Sequence, residues 1–483
     1  MPDANSARAT AREAIALLTG AAGFTEHRPP PRPLPPDGPL GWAGYDAARE
    51  RASARTGEEE SVVYGTGVVG DRPCALLSFE FGFLGGSLGR NTGDRLAAAY
   101  ELALTRRLPL LALVATGGSR MQEGMVALTQ LQRVAAASTR LRAAGLPQIA
   151  VVRDPTTGGG WATVGAGADV VLALPGAQVG FAGSRVRPPD ADPYAYSAEG
   201  QFAAGQVDAV VPADELAATV TQWLRALGPH EDPPAAPVPR ALSAAGAEPT
   251  AGVGTGSTAG AGTGAGAGTK STAGGGAVAP LPETGREAVA RARDPRRPRA
   301  EAYLADYFAV RLPLHGDRSG ATDPGLLCGL GLRADGQPVA YVAQCGTPTR
   351  PAGYRAAART IRLADRLGVP VLTLVDTPGA ANDAEAERAG AGAAIADTFA
   401  AIAAARVPVT TLVIGEGGSG GALALAAPDN THVTVDSYFS VIAPELAAAI
   451  LKRPPSETGA TADQLRLRPQ DLVELGFALS IVG

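Results

Sequence analysis

The sequence predicts an α/β protein built as two related lobes, and three observations carry that reading. Apolar runs of strand length recur in both halves, each ends in a glycine-rich turn that opens an alanine-rich helical segment, and a stretch with almost no large side chain divides the halves. In the first half PLLALVAT at 109–116 runs into GGSRMQEG, and PQIAVVRDP at 147–155 runs into TTGGGWATVGAGAD. In the second, VPVLTLVD at 369–376 runs into TPGAAND, and VPVTTLVI at 407–414 runs into GEGGSGGALALAAPD. Strands apolar on both faces belong to parallel sheets covered by helices, and this strand-to-helix spacing suits right-handed crossover units.

At 483 residues the chain exceeds what one hydrophobic core usually supports, so two domains are expected. The boundary is compositional. HEDPPAAPVPR at 230–240 leads into TAGVGTGSTAGAGTGAGAGTKSTAGGG, which offers too little apolar surface to offset the entropy of ordering it. The expected division is an N-terminal helix and proline-rich spacer over 1–40, a first catalytic domain over 41–228, a disordered tether over 229–282 and a second catalytic domain over 283–483. The stretch HRPPPRPLPPDGPLG at 27–41 reads as a spacer too.

Composition narrows the function classes. Forty-two basic and 47 acidic residues are interspersed for a formal net charge of −5, so there is no electrostatic footprint for nucleic acid or an anionic membrane. Cys74, Cys328 and Cys345 are too few and too far apart for a disulfide framework or a four-cysteine zinc site, and buried reduced thiols are expected. The N-terminus MPDANSARATAREAIALL lacks a secretory pattern and no run of about twenty apolar residues occurs, so a cytoplasmic protein is expected.

Familiar catalytic devices are missing. Of four histidines, His27 and His230 lie in proline-rich stretches and neither His315 nor His432 sits in a recognisable base motif, so the Gly-Gly-Ser-Gly-Gly at 417–421 does not read as a serine nucleophile. No HExxH, Walker-type loop or G-x-G-x-x-G fingerprint is present. What remains is glycine where strands turn into helices. Backbone N–H groups at a helix start have no intrahelical partner and carry the positive end of the helix dipole. Two of them about 2.7–3.1 Å from a thioester oxygen stabilise the charge that builds there when the neighbouring carbon loses a proton or a carboxylate; removing one such donor typically costs about 3–4 kcal/mol. Any one glycine-rich turn has a plainer reading as a tight connection. Four in paired positions point to chemistry.

At these turns the sequence resembles the carboxyltransferase of acyl-CoA carboxylases. The first lobe is similar to the bacterial β subunit through FEFGFLGGSLGRNTGDR at 79–95, TGGSRMQEG at 116–124, DPTTGGGWAT at 154–163 and VGFAGSRV at 179–186. The second is similar to the α subunit through HGDRSG at 315–320, GYRAAARTIRLAD at 353–365, VDTPGA at 375–380, VIGEGGSGGALAL at 413–425 and YFSVIAPELAAAIL at 438–451. The resemblance implies two crotonase-type spiral domains of repeated β-β-α units, with the active site where the first lobe of one chain faces the second lobe of a partner copy. It implies that Gly117, Gly118, Gly158 and Gly159 form an oxyanion hole for an acyl-CoA enolate. It also implies that Gly379, Ala380, Gly417, Gly418 and Ser419 form another for the ureido oxygen of carboxybiotin. Gly85, Gly86, Ser87 and Phe181 become expected substrate contacts. Arg120 becomes a candidate for a CoA phosphate, with a surface charge as the competing reading. Asp376 reads as a helix cap rather than an acid, and Tyr438 and Phe439 as strand-face packing.

The departures are concentrated. No four-cysteine zinc ribbon is present, so no metal is expected. Only Lys270 and Lys452 occur and neither is flanked by methionine, so carboxybiotin is expected on a separate carrier protein, supplied with a biotin carboxylase subunit. In the second lobe AQCGTPTRPA at 343–352 is shortened, and ANDAEAERAGAG at 381–392 replaces a tyrosine-proline-glycine and an acidic stretch of relatives. Both changes touch the half expected to receive biotin. Two other functions therefore stay open: a biotin-independent decarboxylase of malonyl-CoA or a malonylated carrier, and a silent scaffold subunit.

Overall fold

The computed structural model describes residues 9–20, 23–30, 32–228, 233–242 and 280–483. The first lobe is an eight-stranded sheet: β1 (Phe24–His27), β2 (Val62–Val69), β3 (Arg72–Phe79), β4 (Leu110–Thr116), β5 (Gln148–Thr157), β6 (Val170–Ala173), β7 (Val179–Gly180) and β8 (Ala209–Val210). The second repeats it with β9 (Val310–Pro313), β10 (Leu326–Leu332), β11 (Pro338–Gln344), β12 (Val371–Thr377), β13 (Val409–Gly418), β14 (Thr431–Thr434), β15 (Tyr438–Ser440) and β16 (Ser480–Val482). In the first lobe the order is β1-β2-β3-β4-β5-β6-β8 with β7 beside β5, and in the second β9-β10-β11-β12-β13-β14-β16 with β15 beside β13. Each lobe opens with three antiparallel strands and continues parallel. The four predicted strands are β4, β5, β12 and β13, and β4 and β12 are buried at every position.

Long helices pack on these sheets for legible reasons. Arg90–Arg106 buries Leu96, Ala99, Tyr100 and Ala103, a 3-and-4 spacing that lays one stripe on the sheet. Its counterpart Pro351–Leu367 begins with proline at its first position and ends at Gly368 in the left-handed region.

The expected spacer over 1–40 is in part a piece of the first domain. The helix Ala11–Thr19 buries Ala11, Ala14, Ile15 and Leu18 in the main core, and β1 pairs with β2, which carries His27 into the sheet. The composition of 27–41 hid this, because β1 is only four residues long and borders the prolines. The expected tether over 229–282 is likewise narrower: residues 233–242 lie on the second lobe, where Ala236 is buried, its carbonyl accepts from Thr410 Oγ1 at 2.7 Å, and the Pro237 carbonyl accepts from Tyr307 Oη at 2.9 Å. Residues 229–232 and 243–279 fall outside the described residues.

The lobes share one core. The helix Ala213–Ala226 buries Leu216, Val220, Trp223 and Leu224 against β2 and β3 on one side and β9, β10 and β11 on the other. At the edge of this junction Asp208 is fully buried between Arg318 and Arg359, with Arg359 Nη2 at 3.1 Å, and it also accepts the His315 amide at 3.1 Å and the Val171 amide at 2.9 Å. Gly205 and Gly316 meet backbone to backbone beside it, both at φ +68°, where any side chain would collide. Cys74 and Cys328 are buried and Cys345 half-buried, all three free; burial pushes the first two thiols up to about 12 and the third up to about 11. Among the described residues no helix is long and apolar enough to cross a membrane.

Burial raises the Asp208 carboxyl, but the two arginines outweigh it and hold it below the usual carboxylate range. Its contribution to stability is therefore complete above the unfolded value of about 4 and is lost as pH falls through the lower folded value. Asp208→Asn should cost about 2–3 kcal/mol at pH 7 by leaving two half-buried guanidinium groups without their carboxylate. In denaturant titrations the gap between wild type and variant should shrink at pH 3; an unchanged gap would show that the carboxylate charge is not what joins the lobes.

Candidate active site

In the first lobe β4 ends at Thr116 and turns through Gly117, Gly118 and Ser119, while β5 ends at Thr157 and enters a short helix at Gly158–Gly160. Register slips between Val114 and Thr116, so that Thr116 pairs with Thr156 and both strand ends are re-aimed together. Gly118 sits at φ +101° and Gly158 at φ +65°. A Cβ on Gly158 would lie 2.9 Å from Gly118 Cα, so the two turns touch through bare backbone, which only glycine permits. They border a cavity of about 500 Å³ whose wall also includes Gly85, Ser87, Ser119 and Phe181.

The expected residues divide. Gly85, Ser87, Gly117, Gly118, Gly158 and Phe181 line the cavity; Gly86 and Gly159 do not. Gly86 is buried at φ +61° where a side chain would strike the Ala115 carbonyl, so it is a close-approach glycine. Nor are all the expected amides available. Gly117 N–H donates to the Gly85 carbonyl at 2.9 Å, Gly158 N–H to the Phe181 carbonyl at 3.0 Å, and Gly118 N–H to Thr116 Oγ1 at 3.1 Å. Among the described residues the N–H groups of Ser119 and Gly159 have no acceptor. Ser119 is bridged to Leu88 through the flanking bonds, Leu88 N–H to Gly118 O and Arg120 N–H to Leu88 O, which turns its own N–H to the opposite edge. Sequence reasoning missed Ser119 although it directly follows the glycine pair, because the serine advertises a side chain while the geometry presents its backbone.

Arg120 is neither a phosphate contact nor a surface charge. It is 1% exposed, pairing with Glu60 at 2.5 Å and with Glu123 at 3.5 Å, and it donates to the Ser87 carbonyl at 2.8 Å and to Tyr45 Oη at 3.2 Å. Tyr45 Oη donates to Glu123 at 2.5 Å, and Glu123 accepts the Arg90 amide at 2.6 Å. Burial raises the Glu60 carboxyl, but Arg120 outweighs it and holds Glu60 below its usual range. The guanidinium thus clamps the loop bearing Gly85 and Ser87 to the one bearing Ser119. Two carboxylates distant in sequence set this role, and local spacing does not reveal them.

The second lobe repeats the device. Thr377 pairs with Gly417 after the same register slip, and Thr377 Oγ1 accepts the Gly379 N–H at 3.1 Å, as Thr116 does for Gly118. By this register Gly379 corresponds to Gly118, Ala380 to Ser119, Ser419 to Gly158 and Gly420 to Gly159. Gly379 sits at φ +139° and Ser419 at φ +58°. Gly417 and Gly418 are buried, the first against the Phe439 ring and the second against the Pro378 carbonyl, so they shape the turn. The Ala380 and Gly420 N–H groups have no acceptor among the described residues. Asp376 is not a helix cap: it is fully buried, pairs with Arg297 at 2.5 Å and Arg299 at 3.3 Å, and accepts the Glu416 amide at 3.1 Å. Tyr438 and Phe439 pack as expected, Phe439 on Phe477 with centroids 4.5 Å apart, and Tyr438 Oη also donates to Glu416 at 2.8 Å.

The two altered segments support this turn. Thr349 N–H donates to the Gly379 carbonyl at 3.1 Å, Ala381 N–H to the Thr349 carbonyl at 2.9 Å, and Thr377 Oγ1 to the Thr347 carbonyl at 2.8 Å. Arg350 then ties one departure to the other through Asp383 at 3.2 Å and Glu385 at 3.0 Å. Among the described residues no group of three histidine, cysteine or acidic side chains is arranged to hold a metal.

Residues 41–227 match the carboxyl transferase domain family and residues 281–483 the acetyl-coenzyme A carboxylase carboxyltransferase-like family. The chain belongs to the acetyl-CoA carboxylase carboxyltransferase family. It is 36% identical over 476 residues to the acetyl-coenzyme A carboxylase carboxyl transferase subunits beta/alpha of Saccharopolyspora erythraea, covering 95% of this chain and 75% of that protein. The corresponding protein of Salinispora arenicola is 38% identical over 497 residues, covering 98% and 82%. A biotin-dependent acyl-coenzyme A carboxylase beta3 subunit of Mycobacterium bovis is 32% identical over 448 residues, covering 90% and 82%. The fold matches the crystal structure of transcarboxylase 12S with a TM-score of 0.75 at 21% identity, over 99% of this chain and 87% of that one. This member of the carboxyltransferase family is therefore an enzyme with the crotonase-type architecture its sequence implied.

Arg120→Met keeps the bulk but strands Glu60 and Glu123, and should cost about 3–5 kcal/mol of stability. Glu60→Gln combined with Arg120→Met should recover part of that loss, since one of the two stranded carboxylates is gone. Additive losses in thermal unfolding would show that the pair does not act as a unit.

Proposed function

We propose that the enzyme transfers a carboxyl group between carboxybiotin and an acyl-CoA of the acetyl-CoA type, each lobe holding one oxygen through its strand-to-helix turn. The observation that carries this is the repeated pair of unsatisfied amides, Ser119 with Gly159 and Ala380 with Gly420, set beside left-handed turn residues in both lobes, Gly118 and Gly158 in the first and Gly379 and Ser419 in the second. A pair of neutral donors on rigid backbone suits an oxygen whose charge rises during reaction. The Ser119 and Gly159 N–H groups hold the thioester oxygen, which keeps the α-carbon of the acyl group at the cavity mouth and stabilises its enolate. In the second lobe the chemistry of the donor set fits a ureido oxygen: Ala380 and Gly420 supply neutral N–H donors for a carbonyl acceptor. Biotin, when bound, carries the carboxyl group and takes up the α-proton once that group has left. The protein supplies position and electrostatics.

Of the expected residues, this reading retains Gly118, Gly158 and Gly379 as the backbone that shapes the holes, Gly159 and Ala380 as donors, and Gly85, Ser87 and Phe181 as cavity wall. A homodimer is part of the same reading. Phe181 (72% exposed) and Val186 line the cavity at the first turn, and Val441 (74% exposed) follows β15, which pairs with the end of β13 at the second. Apolar side chains bracketing two half-sites are what a partner copy would cover. Biotin arrives on a separate carrier charged by a biotin carboxylase, since Lys270 and Lys452 offer no attachment motif.

Incubation with malonyl-CoA carrying a labelled free carboxyl, with and without free biotin, tests the assignment. The label should pass to biotin, and acetyl-CoA should form only when biotin is present. Equal acetyl-CoA without biotin would identify a decarboxylase, and no product in either case a silent subunit. Ser119→Pro deletes one donor, so kcat should fall about 10²- to 10³-fold with the dimer intact; full activity would remove Ser119 from the hole.

A further inference from the structure

The first lobe holds two further cavities that share no wall residue with the one at the Gly118 and Gly158 turns. The smaller, of about 420 Å³, is lined by Arg49, Glu59, Glu60, Asn91 and Arg95 together with Pro29, Pro30, Arg32 and Asp94. The larger, of about 720 Å³, shares those last four residues and adds an apolar wall of Pro33, Ala97, Ala98 and Ala136. In the smaller cavity every carboxylate is already engaged. Glu60 pairs with Arg120 at 2.5 Å, Glu59 with Arg28 at 3.0 Å and Arg95 at 3.1 Å, and Asp94 with Arg133 and, at 3.5 Å, with Arg32. Arg49 is not. Its ion pair with Asp46 spans 3.9 Å, beyond hydrogen-bonding distance, and its Nε is buried with no partner among the described residues. Asn91 Oδ1, on the same wall, is likewise buried without a donor. Unmatched buried polar atoms cost stability, so this wall offers a guanidinium donor and a carboxamide acceptor that the fold itself does not use.

We infer that the two cavities form a nucleotide site separate from the catalytic one, with a phosphate on Arg49, a sugar hydroxyl donating to Asn91 Oδ1 and the base against the prolines and alanines of the larger cavity. A guanidinium meets phosphate oxygens through parallel N–H groups, and with the neighbouring carboxylates neutralised by their own arginines nothing on that wall is left to repel an anion. A carboxamide oxygen accepts from a hydroxyl, and uncharged proline and alanine surfaces suit a flat heterocycle. Glu60 joins this site to the clamp that fixes Ser87 and Ser119, since the same carboxylate lines the smaller cavity and holds Arg120. The inference does not depend on which reaction the enzyme carries out.

Calorimetric titration of the full chain with ADP tests it. Binding should be detectable with Kd below about 1 mM, and Arg49→Gln should weaken it about tenfold. Asn91 is the second residue of the helix Arg90–Arg106, where an acidic side chain suits the helix start. Asn91→Asp should therefore keep or raise the unfolding temperature while repelling the phosphate and weakening ADP about fivefold. That combination separates a ligand role from a structural one. The affinity for malonyl-CoA, measured in the same way, should be unchanged in both variants. No binding of ADP, or binding that both variants leave intact, would overturn the site. Inorganic pyrophosphate binding as tightly as ADP would overturn its assignment to a nucleotide. A loss of malonyl-CoA affinity parallel to that of ADP would show that the cavities hold the nucleotide end of the substrate, and the separate site would fall.

Discussion

The structure depends on a close approach between two pieces of main chain. At the end of each sheet two adjacent parallel strands turn outward together, and their turns meet without side chains between them. Gly118 against Gly158 shows the constraint: both are in the left-handed region, and a methyl group on the second would lie 2.9 Å from the first. The contact matters because it leaves the Ser119 and Gly159 N–H groups without an acceptor among the described residues, on backbone held by the sheet. Such donors are already oriented when charge develops, so no reorganisation opposes them. A threonine completes each turn by accepting the amide of the following glycine, Thr116 for Gly118 and Thr377 for Gly379, at 3.1 Å in both lobes. The price is that three of the four first-lobe glycine amides the motif suggests, those of Gly117, Gly118 and Gly158, are consumed in shaping the turn.

Beneath each turn lies a buried ion cluster, and here the lobes solve one problem with opposite polarity. In the first lobe the cation follows the turn, Arg120, and carboxylates come from Glu60 and Glu123. In the second the anion precedes it, Asp376, and the cations are Arg297 and Arg299. Buried ion pairs contribute little net stability against apolar packing, and losing one partner is costly. Their value in these positions is geometric: a guanidinium with five donors fixes several loops at once, which an apolar side chain cannot do.

Much of this was legible in the sequence, and the misses share a cause. The four central strands and the glycine turns were readable because each is a local pattern: continuous apolar runs and glycine at strand ends. The family resemblance named Gly159 and Ala380, whose N–H groups have no acceptor among the described residues. Arg120 and Asp376 were misread because their partners are remote: Glu60 is 60 residues from Arg120, and Arg297 is 79 from Asp376. Charged residues flanking a glycine turn look like ligands or caps until the fold closes around them. Ala236 and the helix Ala11–Thr19 were undervalued for the complementary reason, since proline-rich surroundings suggest solvent while a single buried alanine or one apolar stripe anchors the segment.

The junction between the lobes shows why one chain can carry two half-sites. Trp223 and its neighbours on the helix Ala213–Ala226 join two sheets into a single core, and Asp208 with Arg318 and Arg359 locks the edge. Gly205 against Gly316 requires the same bare-backbone fit as the catalytic turns. The relative position of the lobes is thus set by packing and not by the residues that connect them in sequence. A connection freed from that task tolerates the low-complexity composition of 250–276, because covalent linkage there supplies only proximity. Two turns of the same design are therefore held at fixed positions on one body. In the proposed mechanism the facing half-site comes from a second copy, whose turns the same junction would hold just as firmly.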